Sequence, residues 1–215
     1  MTVLNLTTPQ VALLALSVSG SGWYLAVQMK PVTWHRTLAK GLSLSTLALM
    51  VWLAGGPLLI VSTLLLSSIT DILLSRDTSK AMLMVTMGLG VLALGAMSLV
   101  YLELWSGLAS VAAAILGLVG FGLGVFAMIW PRMEGFRVPS TIFLSAMLVT
   151  VLLSLGLPDA HRLAIFGTLF LALSTAFYGY EEFHLGPDDP LLAISNPSIW
   201  CVYYIGYLLV ALAFV

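Results

Sequence analysis

Eight apolar stretches fill almost the whole chain, each near the length that crosses a bilayer and each closed by a short polar break. A helix needs about 20 apolar residues to span the hydrocarbon core. The qualifying windows are approximately 10–28, 38–54, 57–74, 81–104, 107–130, 138–157, 160–179 and 198–215. The second and third are short and meet at Gly55-Gly56-Pro57, which predicts a tight helical hairpin. Strands are not expected, because the runs are continuous and do not alternate. Of the 215 residues 60% are hydrophobic and 8% charged, with a mean hydropathy of +1.09; a soluble domain carries roughly 25% charged residues. The expected fold class is all-α: a polytopic transmembrane helical bundle of eight spans, forming a single integral membrane domain over residues 1–215.

The remaining composition removes several function classes. A net charge of −1 gives no sign of a nucleic-acid partner. The single cysteine, Cys201, makes no internal disulfide and no cysteine-based metal site. The N-terminal MTVLNLTTPQ lacks the basic stretch of a cleaved signal peptide, so the first apolar run is expected to remain as a span. Asn5-Leu6-Thr7 fits the glycosylation pattern, but so near the bilayer it is not expected to be used.

Basic residues divide sharply between the two sides. Lys30, Arg36 and Lys40, then Arg76 and Lys80, then Arg132 and Arg137 fall between spans 1–2, 3–4 and 5–6; Arg162 stands alone on the other side. The positive-inside rule places those odd loops in the cytoplasm and both termini outside, in a plasma membrane (the inner one in a bacterium). Loop 7–8 has no basic residue and carries Glu181, Glu182, Asp188 and Asp189, but acids weigh little in that rule. Trp34, Trp52, Trp105, Trp130 and Trp200 fall near span ends and read as interfacial anchors. In span five, Gly120 and Gly124 are spaced for close helix contact.

The unusual polar residues gather on the basic side: Asp71 late in span three, Lys40 at the start of span two, Ser174 and Thr175 in the last third of span seven, Tyr203 and Tyr204 early in span eight. A charge in hydrocarbon costs about 2.5–3.5 kcal/mol on insertion scales, so Asp71 needs a partner or a purpose. A polar pocket opening toward the inner leaflet satisfies that need. The plainer readings stay open: Asp71 paired with Lys40 or Arg76 or snorkelling to the headgroups, and Lys40 as a headgroup anchor. Glu181 and His184 show a Glu-x-x-His spacing, but a di-iron bundle needs two such motifs, so no metal is expected. Glu103 reads as a solvated end residue, and His35 and His161 lie on opposite sides. There is no nucleophile elbow, no H-E-x-x-H motif and no inverted repeat of the transporter kind.

Taken in order, five stretches resemble the YhhN family of eight-span membrane proteins. WHRTLAKGLSL is similar to the family's basic start of span two, with Lys40 matching the lysine of its Lys-Pro pair and Gly41 in place of the proline. SSITDILL keeps Asp71, with Thr70 where the family has glycine, and IWPRMEGFRVP resembles its loop between spans five and six. GTLFLALSTAF keeps Gly167 and Ser174 but has Thr175 for an acid or amide. VYYIGYLLV keeps Tyr203, Tyr204 and Gly206, with Tyr207 where Gln or His is common. In SLVY the chain departs, keeping Tyr101 but carrying Ser98 for a histidine.

The family's characterised members are lysoplasmalogenases. The resemblance thus implies a lysophospholipid substrate, hydrolysis of its vinyl ether to a fatty aldehyde and a glycerophospho-base, and no cofactor. It implies Asp71 as the acid that protonates the enol ether, with Thr175 or Glu182 ordering the water. Lys40 would hold the phosphate, and Ser174, Tyr101, Tyr203 and Tyr204 would line the substrate site among membrane lipids. The alternative is a catalytically inactive relative that binds a lipid or a membrane partner.

Overall fold

In a computed structural model, residues 6–76, 79–107, 112–186 and 188–215 are described, and among them the chain is helical without strands. Eight helices follow one another: α1 (Thr8–Val27), α2 (Trp34–Leu53), α3 (Leu58–Leu74), α4 (Lys80–Glu103), α5 (Ala112–Ile129), α6 (Arg137–Ser154), α7 (Arg162–His184) and α8 (Leu192–Leu212). Asn5 and residues 108–111 of the expected fifth span lie outside the described residues. Of these helices α1, α4, α6, α7 with its leading turn, and α8 are long and apolar enough to cross a membrane, and α3 is a shorter apolar helix.

Six helices close into a ring, α2–α3–α4–α6–α7–α8 and back to α2. The two outer helices each lie over one seam of it: α1 against α2 and α8, α5 against α6 and α7. α2 is the most enclosed, with Ala39, Leu44, Leu47, Ala48, Met50 and Val51 fully buried. Its hydroxyls Ser43 and Thr46 lie on the side buried against the rest of the protein. Ser43 and Thr46 return their hydroxyl protons to the carbonyls of Ala39 and Leu42, so the helix satisfies them itself.

Two helix ends differ from the expected windows, and both matter. α7 runs to His184 instead of stopping near 179, which carries Glu181 and Glu182 on the helix. α8 starts at Leu192, six residues before the expected 198, with Pro197 inside its second turn. A proline so near a helix start removes a bond where several N–H groups lack intrahelical partners anyway, so it does not end the helix.

Close backbone approach occurs at glycines other than those the spacing picks out. A Cβ on Gly167 would lie 2.6 Å from the Gly206 carbonyl oxygen, and one on Gly206 would lie 2.9 Å from that of Gly167. This pair lets α7 and α8 pack backbone to backbone. Gly120 and Gly124 are exposed, and a Cβ on either meets nothing within 4 Å. The α5 glycines therefore do not serve close packing inside this chain. Gly167→Ala is expected to cost about 1–3 kcal/mol by overpacking, whereas Gly120→Ala leaves stability unchanged or raises it. Unfolding of both variants in detergent micelles checks the contrast.

Candidate functional site

Odd-numbered helices end and even-numbered helices begin at one end of the bundle, and a chamber of about 240 Å³ opens there. Its polar lining comes from nearly every helix: Gln28 on α1, Lys40 on α2, Thr70 and Asp71 on α3, Ser140 on α6, Thr175 and Glu182 on α7, Asn196 and Tyr203 on α8. The far larger apolar share comes from residues such as Leu94, Ile129, Phe143 and Leu171. One water needs only about 10–15 Å³ of such space, so the chamber accommodates water beside a ligand.

The α2–α3 contact sets its central feature. Without a side chain at Gly41, Ile72 packs onto α2 where a Cβ would stand 2.7 Å from it. One turn earlier, Ser68 donates to the Gly41 carbonyl at 2.8 Å. These contacts hold Asp71 opposite Lys40, and Nζ lies 3.3 Å from Oδ1 with both side chains largely buried. Lys40 also sits 5.4 Å from the ring centroids of both Tyr24 and Trp200, within cation–π range. The pairing that the sequence leaves open for Asp71 is thus with Lys40; Arg76 is exposed. The pair is incomplete, however. Asp71 Oδ2 is buried with no hydrogen bond of good geometry, the Tyr203 hydroxyl being the group directed at the carboxylate, and Gln28 Nε2 in the same lining is buried without a partner. Two buried polar atoms in one chamber, one an acceptor and one a donor, are each short of a bond that a ligand or water can make.

Around this pair the hydroxyls form a layer. Tyr203 stands beside Asp71 and packs edge-on against Tyr207, whose hydroxyl accepts from Ser67 at 2.6 Å. On the facing wall Ser174, Thr175 and Glu182 line the chamber, with Tyr178 against Glu182. Thr175 and Glu182 are seven residues apart, two turns along one face of α7. Glu181 accepts a short hydrogen bond from Ser195 of α8. Among the described residues no group of three or more His, Cys, Asp or Glu side chains converges as metal ligands.

Of the residues singled out from sequence, Asp71, Lys40, Ser174, Thr175, Glu182 and Tyr203 share the chamber. Tyr204 and Tyr101 do not line it. The Tyr204 hydroxyl is held at 2.8 Å by Ser17 on α1, and the Tyr101 hydroxyl at 2.9 Å by Thr168 on α7. Both are buried where their hydrogen bonds lock helices together. Ser98 is likewise a packing group, 2.8 Å from Thr150 across the α4–α6 contact. Trp200 is no interfacial anchor: it is buried, donates to Ser21 at 3.0 Å and lines the chamber. Tyr24 and Gln28 were not singled out at all. Their signal is an aromatic and an amide four residues apart at the end of the first apolar run, one helical face.

A family model, that of the YhhN family, matches residues 35–214. The chain belongs to the YhhN family. No curated protein and no solved structure matches it. The YhhN match begins at α2, so Tyr24 and Gln28 of α1 are chamber residues supplied from outside the matched stretch. Within it lie both members of the buried ion pair. Removing one partner of such a pair strands the other charge, at a cost of about 3–5 kcal/mol. Lys40→Met is therefore expected to destabilise the folded protein by that order, and Lys40→Met with Asp71→Leu to recover most of the loss, in unfolding titrations in detergent.

Proposed function

We propose that this YhhN protein is a lysoplasmalogenase-type hydrolase, with all eight helices crossing the membrane as one integral domain. The basic end, and with it the chamber mouth, then faces the cytoplasm, with both termini on the other side. The distribution of lysines and arginines supports this orientation. The substrate is a single-tailed glycerophospholipid with a vinyl ether at its first position.

The observation that carries the reading is the meeting of Asp71, Lys40, Thr175 and Glu182 on one mostly apolar chamber with room for water beside a ligand, with no hydrogen bond closing on Asp71 Oδ2. In the empty site Lys40 neutralises Asp71. An arriving phosphate competes for Lys40, whose ammonium serves it as a point charge, and Gln28 Nε2 has a free proton to give it. Asp71, left without its counter-charge in apolar surroundings, takes up a proton from water in the chamber and is held as the neutral acid. Its proton passes to the β-carbon of the enol ether and leaves an oxocarbenium ion, which the new carboxylate stabilises. Water held by Thr175 adds to the cationic carbon, and its proton returns to Asp71, directly or relayed through Glu182. The hemiacetal so formed collapses to the aldehyde and the free glycerol hydroxyl. One water is consumed and the acid is regenerated.

The Lys40–Asp71 contact also favours a second reading. A carboxylate that never leaves its lysine donates no proton, and the protein is then a lipid binder without turnover. Purified protein supplied with lysoplasmenyl-ethanolamine separates the two. For the hydrolase, fatty aldehyde appears, Asp71→Asn lowers its release by roughly 10²–10⁴-fold, and Glu103→Gln at the far end of α4 leaves it unchanged. Absence of aldehyde from folded wild-type protein that still binds the lipid selects the binder.

A further inference from the structure

The two outer helices are fastened in different ways. α1 is tied to the ring by hydrogen bonds: Ser17 to Tyr204 and to the Ser43 carbonyl, and Ser21 to Trp200. Among the described residues no side-chain hydrogen bond ties α5 to α6 or α7. Its facing side is apolar or bare, with Phe121, Gly122, Val125 and Phe126 among the residues along it. Between α5, α6 and α7 lies a second cavity of about 230 Å³, lined almost wholly by apolar side chains. Thr141, Ser145 and Thr175 are its few hydroxyls.

This groove adjoins the chamber. Val125, Leu144, Met147 and Thr175 line both, so four side chains on α5, α6 and α7 form the wall between them. Thr175 is the hydroxyl on that shared wall. For a ligand with a charged head near Lys40 and a long apolar tail, the groove is the apolar space next to the head, reached when the side chains of that wall turn aside.

We propose that this α5–α6–α7 groove is the alkyl-tail site, with α5 as the side opening by which a single-tailed lipid passes between bilayer and chamber. The inference rests on the lysolipid reading above and adds the location of the tail. Charged lipid parts are excluded from the groove by its apolar lining. The reacting bond then falls beside Thr175, between head and tail.

The test uses a probe that the protein cannot cleave: the saturated hexadecyl ether analogue of lysophosphatidylethanolamine, with a diazirine on its terminal carbon. Photolysis with the purified full-length protein is expected to label α5 and α6, between residues 121 and 151. Gly122→Leu fills the groove, and its Cβ meets nothing within 4 Å, so the fold is spared. It should weaken binding of the hexadecyl probe by about tenfold, the loss expected when about two methylenes are denied burial, while an octyl analogue binds as before. Gly124→Leu, at a position that does not line the groove, should change neither. Labels confined to α1–α4, or equal weakening of both probes by Gly122→Leu, overturn the proposal. Because neither readout needs turnover, a failed aldehyde assay with labels on α5 and α6 removes the hydrolase and leaves the tail site standing.

Discussion

Lys40 and Asp71 depend on each other in a way that organises the rest of the molecule. In an apolar bundle neither charge is tolerable alone. The pair requires α2 and α3 to approach closely, which the bare face of Gly41 permits and the Ser68 bond to its carbonyl secures. It also requires aromatic walls, which Tyr24 and Trp200 supply around the ammonium. A purely structural brace would satisfy every lone pair. Here one carboxylate oxygen has no closed hydrogen bond and one amide of the same lining has none at all, the pattern of a site poised for something else to bind.

The bundle combines firmness and looseness along its length and around its girth. Buried tyrosines share in the polar fastening: Tyr204 to α1, Tyr207 to α3, and Tyr101 to α7. Each is an aromatic body in the core with one hydroxyl that finds a partner on another helix, so each contributes burial and register together. α5 lacks such ties among its described residues and rests on apolar contact alone, which within a bilayer has no solvent-driven advantage over contact with lipid tails. The ring and the outer helix over its α6–α7 seam are therefore unequal partners, one locked and one resting.

How much of this was legible in the sequence follows from the same physics. Helix existence was readable, because unbroken apolar length is what a bilayer demands; the helix ends at His184 and Leu192 were not, because Glu181-Glu182 and Pro197 look like breaks when context is absent. Charged and hydroxyl positions such as Asp71, Lys40 and Thr175 stood out against an apolar background, and the chamber brings them together. Rotation about each helix axis was hidden. In a soluble helix the polar stripe marks the outer face, but here lipid-facing and core-facing sides are both apolar. So Tyr204 beside Tyr203, and Gly120 in place of Gly167, could not be told apart by pattern. Gln28 was overlooked because an amide at a span end usually meets water.

The end of the bundle away from the chamber is stitched shut at several points. The His161 ring stacks on Phe214 and bonds the Ala213 carbonyl at 3.0 Å, Gly56 leaves no room for a Cβ beside the Phe214 carbonyl, and the Trp105 indole lies directly on Gly156. On the proposed orientation, a cup closed at its base exchanges lipid with one leaflet only, so turnover there would change one face of a membrane without mixing the two.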